Sequence, residues 1–106
     1  MNRDRIKNLE EWIKEDPNEP FNKYALAMEY SQSLPERAAV LFGELLTQHS
    51  EYLPTYYISA NFYADLGLRE KAIQILQSGI ILAQKQNNGK TLRELQTILE
   101  QLEFEG

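Results

Sequence analysis

The side chains able to do chemistry are few and poorly grouped for it. His49 is the one histidine, set between Gln48 and Ser50, and cysteine is absent. A zinc site needs several nitrogen or sulfur ligands, and one imidazole supplies one. Glu10, Glu11, Glu15, Asp16 and Glu19 form an acidic run. It lacks the alternating spacing and central glycine of a calcium loop, so it reads as a solvated face. The five glycines are scattered, which leaves no loop to cradle a phosphate. Ser31, Ser33, Ser50, Ser59 and Ser78 have no base close in sequence, and His49 is the only imidazole that could activate any of them. Neither catalysis, a cofactor nor a metal is expected. His49, near the end of a helix, reads as a mild stabiliser of that end.

Charge narrows the partners. The formal net charge is −5 and the isoelectric point near 4.9. Nucleic acid and anionic membrane surfaces are bound largely through Lys and Arg, so both are disfavoured. Hydrophobic residues at 42% and charged residues at 25% are the proportions of a globular chain. Its 106 residues suffice for one domain with a core and no covalent staples. The start, Met1 to Arg5, is charged rather than apolar, and no run approaches the ~18 apolar residues of a membrane span. A cytoplasmic location is the expectation.

The elements that would position any site are helices. Ile6, Leu9, Trp12 and Ile13 share one face of a helix over 3–15, with Lys7, Glu10, Glu11 and Lys14 opposite. Asp16-Pro17-Asn18 stops it, and Pro20 can open the next, over 20–33, with Tyr24, Leu26, Ala27 and Tyr30 as packing residues. Pro35 opens a helix to about Gln48 and Pro54 one over 54–66, which Leu66-Gly67 ends. A fifth spans 69–86. A sixth, 90–103, carries Leu92, Leu95, Ile98, Leu99 and Leu102 at helical spacing. No stretch alternates as a half-buried strand would, so the chain reads as all-α.

Two of these segments repeat. Ala38, Leu41, Phe42 and Leu46 recur 34 residues on as Ala72, Ile75, Leu76 and Ile80, and Glu36 as Glu70. A period in the thirties marks stacked helical hairpins. The fourth and fifth helices resemble a tetratricopeptide repeat in Tyr56, Ala60, Tyr63, Leu66-Gly67, Ala72 and Leu76. Ser59 stands where that family usually has Leu, and no Pro ends the second helix. The upstream hairpin keeps Leu26-Ala27, Tyr30, Ala38, Phe42 and Leu46, but Ser33-Leu34-Pro35 replaces Leu-Gly. Leu9, Trp12 and Ile13 fall, at an offset of 33, on Phe42, Leu45 and Leu46.

The resemblance implies a right-handed stack of antiparallel helical hairpins within one domain, 1–106. Its parts are an N-terminal half-repeat helix (3–19), a first repeat (20–53), a second (54–86) and a capping helix (90–103). Small residues let paired helices approach, and Gly79 suggests a tight approach by the helix that follows.

In tetratricopeptide proteins the first helices of the repeats line a groove for peptides or partner segments. Helical geometry then puts Phe21, Tyr24, Met28 and Gln32 on that face in the first repeat, and Tyr57, Asn61, Ala64 and Asp65 in the second. Rings with polar tips beside an amide are a mixture enriched at protein interfaces. The opposing possibility is that Tyr24 and Tyr57 merely pack against neighbouring helices or the C-terminal cap. Family members that clamp a terminal carboxylate use Lys and Asn on this face. Here Tyr24, Met28 and Tyr57 occupy those positions, only Asn61 fits and there is no third repeat, so the carboxylate clamp, and with it a chaperone-tail partner, is disfavoured. The expected function is an adaptor for another protein or peptide. The alternative is a homo-oligomeric scaffold, with Tyr52, Phe62 and Phe104 as exposed rings that a homodimer would bury.

Overall fold

Prolines and polar caps fix where the helices begin. The computed structural model describes residues 1–105, and among the described residues there are six α-helices and no strand. They are α1 (Arg3–Glu15), α2 (Pro20–Tyr30), α3 (Pro35–Gln48), α4 (Pro54–Asp65), α5 (Arg69–Lys85) and α6 (Gly89–Glu105). Asn2 caps α1 by accepting the Arg5 N–H at 3.0 Å. Pro20, Pro35 and Pro54 each stand at the start of their helix, where a missing N–H costs nothing.

Two helix ends share one device. Gly67, at φ 80°, follows α4; its N–H donates to the Ala64 carbonyl, and that of Leu68 to Tyr63. Asn87, at φ 57°, follows α5 in the same way, with bonds to Gln84 and, from Asn88, to Ala83. The left-handed residue turns the chain back over otherwise orphan carbonyls.

The second helix ends three residues sooner than its sequence suggests, at Tyr30 rather than Ser33. Pro35 forces Leu34 out of helical geometry, to φ −135° and ψ 67°. Ser31–Ser33 become a turn, in which the Ser31 hydroxyl donates back to the Met28 carbonyl at 2.9 Å.

The chain divides into two compact units, Met1–Tyr52 and Leu53–Gly106. In the first, α2 packs on both α1 and α3. Ala27 and Ala38 are fully buried, with Leu9, Phe42 and Leu45 filling the space around the small residues. Lys23 is also buried; its Nζ lies 3.4 Å from Gln48 Oε1 and 3.5 Å from Glu44 Oε1, tying α2 to α3. Trp12 departs from expectation. The apolar stripe of α1 buries Ile6 and Leu9, whereas Trp12 is 47% exposed. It lies about 100° around the helix from Ile13, on the edge of the stripe.

In the second unit, α5 packs between α4 and α6, which also touch each other. Ala60 and Ala72 are fully buried, as are Leu76 and Leu95. A Cβ on Gly79 would stand 2.7 Å from Tyr56 Cβ and 3.1 Å from Leu95 Cδ1. The close approach at Gly79 therefore involves the preceding helix first and the following one second. The α6 helix packs on α5 with Leu95 buried and Leu92, Ile98, Leu99 and Leu102 half-buried, and the Arg69 guanidinium donates to the Leu102 carbonyl at 2.9 Å.

Phe62 is a correction. It is buried rather than exposed, edge-on to Tyr63 with ring centroids 5.0 Å apart. Thr55, Ser59 and Phe62 form a second buried stripe on α4 beside Tyr56, Ala60 and Tyr63. The Thr55 and Ser59 hydroxyls are buried without hydrogen-bond partners.

Candidate interaction surface

Each unit carries one set of the residues singled out from the sequence. In the first, Glu19 Oε1 accepts the Phe21 N–H at 3.3 Å and Pro20 opens the helix, which fixes the phase of α2. Phe21, Tyr24 and Met28 then follow at steps of three and four along one face. Gln32 lies beyond the helix, in the turn. All four line one cavity of about 430 Å³.

Aromatic contacts organise its rim. Phe21 and Tyr24 have ring centroids 6.4 Å apart, and Tyr24 meets Tyr52 edge-on at 5.7 Å. Tyr24 is thus partly packed against its own unit, while Phe21 and Met28 are exposed. Desolvation raises the Tyr24 phenol above its ordinary pKa. Tyr52 is raised by desolvation first, then by Tyr24 and Glu19.

Sequence reasoning missed the contribution of α1. Met1 and Arg5 also line the cavity, and Arg5 Nε pairs with Glu29 Oε1 at 3.0 Å. No local pattern announces that pair; it arises because α1 packs on α2. Tyr52, expected as an exposed ring that a homodimer would bury, is instead half-buried against Tyr24.

In the second unit Tyr57, Asn61, Ala64 and Asp65 lie along one edge of α4. Tyr57 and Asp65 are exposed, and Asn61 and Ala64 half-buried. Asn61 Nδ2 donates to the Tyr57 carbonyl at 3.1 Å, so one amide hydrogen serves its own helix. The amide retains its oxygen and a second N–H as bonding capacity. The α6 helix meets α4 near Tyr56, through Leu95, and leaves Tyr57 exposed. Tyr56 and Tyr63, on the buried side of α4, have phenol pKa values raised by desolvation.

The other chemical candidates stay dispersed. His49 follows α3 with its backbone N–H on the Leu45 carbonyl, and its Nε2 is buried without a partner. Among the described residues no three His, Asp or Glu side chains form a metal cluster, and no helix is long and apolar enough to cross a membrane.

Solved structures place this architecture. A crystal structure of a tetratricopeptide repeat domain protein from Salinibacter ruber shares 35% identity, over 80% of this chain and 96% of that one, with a TM-score of 0.74. A solution structure of a tetratricopeptide repeat domain protein from the same organism shares 36% identity over 83% and 90%, with a TM-score of 0.78. The chain belongs to the tetratricopeptide repeat family. A protein from Bordetella parapertussis, at 21% identity over 94% of this chain and 88% of that one, has the same fold with a TM-score of 0.79. No protein-family model matches the sequence, and no curated protein does. The fold is that of a protein-interaction module.

Proposed function

We propose that this chain is an adaptor that holds a peptide or partner segment on its α2 face, with the α4 edge as a second contact surface. The observation that carries this reading is the cavity beside α2. Phe21, Tyr24, Met28 and Gln32, the residues expected on that face from the tetratricopeptide resemblance and helical geometry, line it. Exposed rings and a flexible thioether beside amide and hydroxyl groups suit a segment with alternating apolar and polar contacts. The absence of a charged clamp on this face sets the chain apart from carboxylate-binding relatives.

Capture of a cellular partner by the intact chain, compared with Met28→Ala, Tyr57→Ala and Asn61→Ala variants, tests the reading. Loss of the same partner in Met28→Ala and in at least one α4 variant, at unchanged helicity, is expected. An identical capture profile in all four proteins overturns it.

A second reading, self-association, draws on Ile81 and Phe104, which are 66% and 93% exposed. Light scattering across a concentration series separates the two. A mass that stays monomeric at every concentration removes the scaffold.

A further inference from the structure

Sulfur is scarce in this chain, and the fold gathers it in one place. There is no cysteine, and the two methionines are Met1 and Met28. One precedes α1 and the other lies on α2, yet both line the cavity of about 430 Å³ that holds Phe21 and Tyr24. Both are open to solvent, at 62% and 46% exposure. Packing in a core shields a thioether from oxidants; these two have no such cover. With no thiol to compete, a hydroperoxide that meets this chain finds its sulfur targets on the α2 face.

The reaction changes what that face offers. A sulfur lone pair attacks the terminal peroxide oxygen, the O–O bond breaks, and that oxygen stays on sulfur. Its proton passes to the departing oxygen, which leaves as water or an alcohol. The thioether is oxidised by two electrons and the hydroperoxide is reduced by two. A flexible apolar side chain thereby becomes a polar sulfoxide, a change that sulfoxide reductases reverse. An apolar group seated against the new oxygen would strip it of water and supply no donor.

We propose that Met28 is a reversible oxidation site at which a hydroperoxide turns off segment binding to the α2 face. This rests on the reading that this face holds a segment, and adds its regulation. Met28, rather than Met1, carries the effect. It stands one helical turn from Tyr24 on the same face of α2, whereas Met1 belongs to no helix.

Hydrogen peroxide treatment of the full chain, followed by mass-spectrometric peptide mapping, tests the chemistry. Met28 should gain one oxygen at a rate within about threefold of a free methionine amide. A rate slower by about tenfold or more overturns the site. Short peptides selected on the untreated chain from a displayed random library then serve as the probe. Oxidation should weaken them about tenfold at unchanged helicity, and methionine sulfoxide reductase should restore them. Met28→Leu, compared only with itself before and after peroxide, should show no such fall, although its Met1 is still oxidised. A fall of the same size in Met28→Leu overturns the assignment to Met28. Equal binding by the parent before and after complete oxidation of Met28 overturns the switch and leaves the groove reading intact. Failure to select any peptide that Met28→Ala weakens overturns both.

Discussion

Gly79 of α5 lies so close to Tyr56 of α4 that a methyl group on it would stand 2.7 Å from the tyrosine Cβ. The atom it would meet is anchored to the backbone, so only movement of a helix could relieve the clash. Gly43 in α3 has nothing within 4 Å of the same position. The two glycines therefore predict opposite signs for one substitution. Gly43→Ala should stabilise by about 0.5–1 kcal/mol through helix propensity alone. Gly79→Ala makes the same local gain, but overpacking costs about 1–3 kcal/mol and outweighs it. Urea unfolding of both variants checks this, and equal shifts of the midpoint would contradict the close approach.

Ala72 makes a related prediction. It is fully buried where α5 packs on α4. Ala72→Leu should cost about 1–3 kcal/mol, whereas the exposed Gln74→Ala should change stability by less than about 0.5 kcal/mol. Thermal unfolding of the pair decides it, and a neutral Ala72→Leu would mean that the space around it is loose.

Much of this architecture is legible in the sequence, because the signals are local. Pro20, Pro35 and Pro54 announce helix starts, Leu66-Gly67 an end, and Ala38 and Ala72 the repeat. The misread positions depend on partners distant in sequence. Trp12 shares an apolar stripe with Leu9, yet only part of that stripe is covered. Phe62 belongs to a buried stripe whose other members, Thr55 and Ser59, are hydroxyl residues, so apolar periodicity alone does not reveal it. The α2 residues of the candidate surface follow from helical phase. Arg5 and Glu29 do not, since their pairing exists only once α1 has docked.

Lys23 offers a test of how polar groups are held inside the first unit. Its ammonium is buried, and Glu44 and Gln48 are the groups that satisfy it. Glu44→Ala leaves the cation with the amide alone and should cost about 1–3 kcal/mol. Lys23→Met removes the charge together with its need for partners and should stay within about 1 kcal/mol of the parent. Denaturant unfolding that ranks Lys23→Met as the more damaging change would contradict this account.

The tyrosines give a pH dependence with a definite sign. Burial favours the neutral phenol of Tyr24, Tyr52, Tyr56 and Tyr63, raising each above the ordinary value of 10.0. Between that value and the raised one, the folded protein retains protons that the unfolded chain has released. Their contribution to stability is therefore complete below pH 10.0 and is lost as pH climbs through the raised values. Melting temperature should be flat from neutral pH to the onset of phenol ionisation and should fall beyond it. Tyr24→Phe combined with Tyr52→Phe should make that fall shallower. A fall of equal steepness in the double variant would contradict it.

The most direct test of the central claim is an NMR titration of the full chain with a peptide segment of a captured partner. The account predicts amide shifts concentrated at Phe21, Tyr24, Met28 and Gln32, with a second set at Tyr57 and Asn61. Shifts confined to Ile81 and Phe104, with the α2 face unmoved, would contradict it.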